Sequence, residues 1–407
     1  EEFRRGGDLL NRPPHEANVA EQTEHSINGG GLRFDYFSPN EKHRFNVFAS
    51  AQHINRDSYY GGGQDPNAYG NTTDLNWMAG SQYVYSFGKC IFMPADLTAG
   101  IEFNQDKLED NMWGYHRTVD QKVNIGSAFF QNEWKNEHWG FLIGGRLDKH
   151  NLIDHVIFSP RANLRYNPTE NINLRFSYSS GFRAPQAFDE DLHVENVGGN
   201  VAMVELADNL KEERSQSLSA SADIYHRFGA FQVNFLVEGF YTKLSDVFAL
   251  TDGEVVDGIL TRTRYNAPGA RVMGLTLEGK MAYLTKFQVQ AGVTLQQSHY
   301  SEPHVWNKEA PAVKKMMRTP NTYGYFTATY TPIKPLSIAL SGTYTGSMLV
   351  PHEPVPGFLE KPITVNTKDF FDIGLKAAYD FKLYKSMNLQ VNAGVQNIFN
   401  AYQNDFD

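Results

Sequence analysis

The run Asn171-Ile-Asn-Leu-Arg-Phe-Ser-Tyr178 places Ile172, Leu174, Phe176 and Tyr178 on one side of an extended chain, and Asn171, Asn173, Arg175 and Ser177 on the other. Successive side chains of a strand point to opposite faces, so this period of two marks a strand with one apolar and one polar face. The pattern recurs along the chain. It appears in Leu218/Ala220/Ala222/Ile224/Phe228, in Phe231/Val233/Phe235/Val237 and in Met273/Leu275/Leu277/Met281. It returns in Phe287/Val289/Ala291/Val293/Leu295, in Phe371/Ile373/Leu375/Tyr379/Phe381 and in Leu389/Val391/Ala393/Val395. Gln288, Gln290, Thr294, Asp372, Lys376, Asp380, Gln390 and Asn392 fill the positions between.

A soluble β-sandwich alternates in the same way, so strand length and connection length decide between the two. The alternating runs extend over about 10–14 residues, where a soluble strand averages about 5–6. Short links fall at 39–42, 135–137, 167–170, 229, 285–286, 331–334 and 382–385, with a somewhat longer one at 87–96. Long polar links fall between them, at 55–76, 108–121, 149–159, 180–213, 245–270, 298–321 and 347–369. Strict alternation puts every tight turn at one end of the molecule and every long loop at the other. This is the layout of a transmembrane antiparallel up-and-down β-barrel, with tight periplasmic turns and long extracellular loops. About sixteen strands are expected, the first near 31–37 and the last at 389–396.

Composition agrees. No apolar run approaches the roughly 18 residues of a transmembrane helix, but a barrel strand needs only about 9–11 and stays polar on average. The 28 Phe, 21 Tyr and 5 Trp are ample for an interfacial girdle. A net charge of −9 argues against nucleic acid as a partner, since that affinity rests largely on Lys and Arg neutralising phosphates. Cys90 is the only cysteine, so there is neither an internal disulfide nor a CxxC metal site. Neither a G-x-S-x-G nor an H-E-x-x-H arrangement is present, and no enzyme is expected. One barrel domain over 1–407 is the reading.

The segment Ser177-Tyr-Ser-Ser-Gly-Phe-Arg-Ala-Pro-Gln-Ala-Phe-Asp-Glu190 resembles the GFRAP hallmark of TonB-dependent outer-membrane receptors. Asn209-Leu-Lys-Glu-Glu-Arg-Ser215 looks like that family's re-entry into the next strand, and Gly394-Val-Gln-Asn-Ile-Phe-Asn-Ala-Tyr402 like its penultimate segment. Arg5-Gly-Gly-Asp8 is similar to a loop element before a mid-barrel strand. The resemblance covers essentially the whole chain. It implies a barrel of 22 strands in full, with the plug domain, the first strands and the last strand outside this stretch. It implies active uptake of a scarce bulky chelate, cobalamin or a ferric siderophore or haem, across the Gram-negative outer membrane. The partners it implies are the TonB–ExbB–ExbD complex acting through the plug, the bilayer with its lipopolysaccharide, the chelate itself, and in some cases a surface lipoprotein. A passive porin of 16 to 18 strands, and oligosaccharide or peptide cargo, are the alternatives.

Candidate site residues fall in two loops. Tyr59, Tyr60 and Tyr69, beside the Gly61-Gly-Gly63 run, offer stacking faces for a flat ligand on a mobile loop. In the 180–213 loop Pro185 ends the strand, because it cannot donate to the ladder, and Arg183 can brace the loop through Asp189, Glu190 or Asp191. Those three acids could also supply oxygens to a loop calcium, though without the D-x-[DN]-x-[DN]-G spacing, and such loops are mostly just solvated. His193 lies where the haem-receptor branch carries a ligand histidine, but the second box reads Ala207-Asp-Asn-Leu210 without its Asn-Pro pair, and a loop histidine is usually solvated. The two loops are expected to close over one chelate.

Overall fold

In the computed structural model, which describes residues 2–5, 12–197, 200–251, 253–256, 259–352, 354 and 357–403, the alternating segments become consecutive antiparallel strands of a single sheet. That sheet has eighteen strands, two of them the short pieces Glu2–Arg5 and Val313–Lys315, leaving sixteen long ones (18 − 2). Each long strand pairs with the next in sequence, from Val19–Phe37 to Met387–Val395. Among the described residues Met387–Val395 pairs on one side only. The element Arg5-Gly-Gly-Asp8 falls largely on 6–8, outside the described residues.

The two ends differ as the link lengths require. At one end the turns are two to five residues long, for example 38–42 after Phe37 and 91–92 between Cys90 and Met93. The expected 87–96 link is therefore corrected to a two-residue turn. A register shift between Phe87 and Cys90 interrupts the alternation, while Ile91 takes the left-handed turn conformation at φ 63°. The first strand likewise begins at Val19 rather than near residue 31.

Face assignment follows the register. Phe228, Phe231, Tyr283, Phe287 and Tyr330 are successive cross-strand partners and form one aromatic row at the short-turn end. Above it the same face carries Val233, Phe235, Val237, Leu277, Leu275, Val293 and Leu295, of which Phe235, Leu275, Val293 and Leu295 are exposed although apolar. Such a surface suits hydrocarbon, with an aromatic girdle at its edge. The opposite face is polar and internally bonded: Gln290 and Tyr325 both bond the Glu278 carboxylate, which also meets Lys280 at 2.8 Å. Elsewhere in the sheet Arg146 reaches across the intervening strand to Glu102 at 2.6 Å and also meets Asp148 at 2.8 Å.

Five adjoining strands, from Val19–Phe37 to Arg117–Lys135, run 19 to 22 residues each. A tilted strand crosses an apolar band in about 9–11 residues, so this side of the wall extends well beyond such a band.

Candidate functional site

The tall wall has its own small core. Tyr59, Tyr60, Met112, Tyr115, Val194 and Met203 are buried together with Ala17, Ala20 and Ala68. Tyr59 is only 1% exposed and packs edge-on to Tyr69 at 4.8 Å, with its hydroxyl donating to the Asp65 carbonyl at 3.0 Å. Its ring lies over Gly61, where a Cβ would fall 2.0 Å from the hydroxyl. Gly61 thus makes room for a ring rather than lending mobility, which corrects the reading of the glycine run. Tyr60 meets the His193 ring edge-on at 5.0 Å, and the Tyr115 hydroxyl donates to its carbonyl. Burial pushes the Tyr115 phenol above its usual range. The structure therefore places Tyr59 and Tyr60 as packing residues and not as open stacking faces. Tyr69 is half-buried, bonded to His15 at 2.7 Å, and lines an outer cleft of about 380 Å³ with Pro66, Asn67, Trp113 and His116.

The described part of the 180–213 segment is built around the hallmark. The strand stops at Arg183, two residues before Pro185. Phe182 packs against Ile153, Ile157 and Ala184. Arg183 stacks 3.9 Å over the Phe188 ring and 5.6 Å from that of Phe248, which belongs to the 246–269 loop. A single helical turn, Asp189–Leu192, follows, and its Asp191 carboxylate accepts the Phe188 N–H at 2.9 Å. The other Asp191 oxygen is held by Arg264 in a buried ion pair. Asp191 is thus engaged at both carboxylate oxygens and pins the turn to the 246–269 loop. The side chains of Asp189 and Glu190 lie outside the described residues. Among the described residues no group of three or more His, Cys, Asp or Glu is placed to hold a metal.

Two further anchors tie this turn to the wall. Gln121 bonds both sides of the Ala187 peptide, accepting its N–H at 2.7 Å and donating to its carbonyl at 3.1 Å. Arg117 donates to the carbonyls of Asp191 at 2.6 Å and Leu192 at 3.3 Å. Behind Arg117 the Asp110 carboxylate accepts the Thr72 hydroxyl at 2.6 Å, and Thr72 in turn accepts Arg56 at 3.1 Å.

The loops also pair with each other. Residues Asn200–Leu206 run parallel to Ile259–Ala267, in register from Val201↔Ile259 to Leu206↔Arg264. Val247–Leu250 joins the far side. This sheet encloses a cavity of about 320 Å³ lined by His193, Met203, Leu250, Arg262, Arg264 and the pinned Asp191. His193 also lies 3.5 Å from Glu21. Of the residues singled out in the sequence, His193 and Asp191 meet at this cavity, Arg183 braces the loop behind it, and the tyrosines stand in the neighbouring wall. Arg262, Arg264, Gln121 and Arg117 carried no signal. The partners of Arg264, Gln121 and Arg117 lie 66 to 75 positions away, and Arg262 lines a cavity together with residues of another loop.

Residues 5–398 match the family model described as TonB dependent receptor-like, beta-barrel. No curated protein matches the sequence. Among solved structures the chain resembles the siderophore receptor PirA from Acinetobacter baumannii, with a TM-score of 0.70 and 14% identity over 94% of this chain and 59% of that one. It resembles a mutant of the ferric enterobactin receptor PfeA from Pseudomonas aeruginosa, with a TM-score of 0.68 and 17% identity over 94% and 57%. The FrpB iron transporter from Neisseria meningitidis gives 0.66 and 14% over 99% and 64%. The chain thus spans about three fifths of the length of these receptors.

Proposed function

The chain belongs to the TonB-dependent receptor-like β-barrel family of outer-membrane proteins, and on that premise we propose that it forms the wall and binding mouth of an active importer of an anionic ferric chelate. The observation that carries the choice of cargo is the loop-sheet cavity with Arg262, Arg264 and His193 in its lining. Among its described lining residues the one acid is Asp191, which is paired with Arg264. Guanidinium groups match planar carboxylate and catecholate oxygens with paired hydrogen bonds, so a ferric siderophore fits better than cobalamin. The named siderophore and iron receptors of the same fold support the reading. Haem is less favoured, because His193 is engaged by Glu21 and Tyr60.

In this reading the loops capture the chelate, and a plug coupled to the TonB–ExbB–ExbD complex supplies the force for release into the periplasm. Loops locked by Arg264–Asp191 and Gln121–Ala187 give a preformed surface, which limits the ordering entropy that binding costs. The test is binding of a ferric tris-catecholate to the full-length receptor in detergent. Arg262→Glu should weaken it at least tenfold and leave the β-sheet circular dichroism of the barrel unchanged. Equal affinity in that variant, or preferential binding of cobalamin by the unaltered protein, would overturn the assignment.

A further inference from the structure

The lumen face carries a strip of arginines below the loops that hold the cavity. Register fixes the face: Asn173 pairs with Asp223, Asp223 with Leu236, and Leu236 with Glu278, the carboxylate already placed on the polar side. Arg175 lies two positions past Asn173 and therefore shares that side. Its direct partner is Arg165, and four residues further up Ser179 pairs with Arg161. Arg161 and Arg175 are exposed. Four steps of about 3.3 Å, tilted by about 40°, rise roughly 10 Å. The three arginines thus line one strip of wall on the strands Ile157–Thr169 and Ile172–Arg183.

Its flanking positions are Gly140, Leu142 and Gly144 on one side and Ser217, Ser219 and Ser221 on the other, without a carboxylate among them. Arg165 lies across Gly140, where a Cβ would fall 3.3 Å from its Nε, and donates to the carbonyls of Asn136 at 2.9 Å and Trp139 at 3.4 Å. Arg175 donates to the Asn173 amide oxygen at 2.7 Å. Among the described residues none of the three arginines forms an ion pair. The carboxylates next along this face are engaged or set apart. Asp223 accepts Tyr225 and Asn234, Glu133 meets Lys135, and Glu238 stands beyond Ser221, two strands from Arg175.

Like charges set directly opposite one another are destabilising, and a concave wall lined by one sign of charge concentrates its field. An anion beside Arg165 and Arg175 therefore lowers the energy. On the tall side the same face sets Glu102 and Asp148 around Arg146, so that cation is already matched. Arg183 closes the strip at its upper end. It faces the same side, four residues past Ser179, and braces the Phe188 and Phe248 rings of the two loops that enclose the cavity. The strip thus leads from the base of those loops toward the short turns.

We propose that Arg161, Arg165 and Arg175 form a transit site in the lumen wall, where an anionic chelate released from the loops pauses on its way to the short-turn end. The proposal rests on the reading of the chain as an importer of an anionic ferric chelate, and adds where that cargo passes. A site on a path must bind strongly enough to be entered and weakly enough to be left. The capture cavity surrounds its arginines with a loop sheet. The strip presents guanidinium groups on an open wall, so it attracts the same oxygens and holds them less.

The test uses the full-length receptor in the outer membrane of cells without another receptor for the probe, a ferric tris-catecholate carrying radioactive iron. Binding to energy-depleted cells and uptake by energised cells are both measured per receptor in the membrane. Arg161→Gln/Arg165→Gln/Arg175→Gln should bind the chelate with unaltered affinity but import it roughly tenfold more slowly. Arg161→Lys/Arg165→Lys/Arg175→Lys should recover most of the rate. Unchanged import in the glutamine variant would overturn the site, and so would an equal loss in the lysine variant, since charge would then not be what matters. Weakened binding would return the arginines to capture, and new sensitivity of the cells to a large antibiotic would mean that they hold a plug in place. Either result overturns the transit role. Failure of the unaltered receptor to bind the chelate would instead refute the importer reading, and the transit site with it.

Discussion

Gln121, on the inner side of the tall wall, completes both hydrogen bonds of the Ala187 peptide, sixty-six residues further along the chain. A buried peptide beyond Pro185 has no ladder to join, and its polar atoms need partners once water is excluded. The side-chain amide offers a donor and an acceptor at the spacing of another backbone. It thereby fixes the point where the loop leaves the barrel, and with Arg117 and Arg264 it sets the position of the helical turn that carries Asp191.

Replacing Gln121 with Ala should leave that buried peptide unsatisfied at a local cost of about 1–3 kcal/mol. Hydrogen exchange should accelerate across 184–193 and stay unchanged in the Ile172–Arg183 strand. Uniform loss of protection in both would mean that Gln121 supports the barrel and not the loop.

The two faces of the sheet should respond differently to charge. Leu277 lies midway between Tyr283 and Arg271 on the outward face, and Gln290 points inward to Glu278 and Tyr325. Leu277→Arg should cost roughly 2–4 kcal/mol in reversible unfolding from liposomes. Gln290→Arg should cost much less, since its charge meets a carboxylate. Equal costs at the two sites would contradict the face assignment.

The mouth should loosen only in acid. Burial pushes the Glu212 carboxyl up, but Arg214, at 2.7 and 3.0 Å, and His155, at 3.0 Å, hold it below its ordinary value. A lowered carboxylate contributes stability that is full above its unfolded pKa of about 4.3 and is lost as pH falls through the folded value. Exchange of the 151–156 and 207–212 amides should therefore be flat from pH 5 to 8, after correction for intrinsic rates, and rise below about pH 4. Glu212→Gln should show the loosened exchange throughout. A transition between pH 5 and 8 would refute the assignment to Glu212.

Much of this molecule could be read without coordinates. Sixteen strands, their direction, the sorting of turns and loops, and the outward face of Leu174, Phe235, Leu275 and Val391 all follow from period-two alternation. The strands of the tall wall were read too short for a related reason. Above the bilayer both faces of Tyr59–Tyr60 and of Asp110–Asn111 meet protein or water, so hydropathy stops alternating while the ladder continues.

The sequence by itself determined the barrel, because lipid on one face and a polar lumen on the other impose opposite chemistry on successive residues, and that constraint is local. Only the tertiary structure decided that Tyr59 and Tyr60 are buried, that Asp191 belongs to Arg264, and that two loops join in a parallel sheet around His193. These are pairings across some 60 to 130 positions of chain. Any arginine can satisfy any aspartate that the fold brings within reach, so the choice among partners is made by geometry and leaves no period to read.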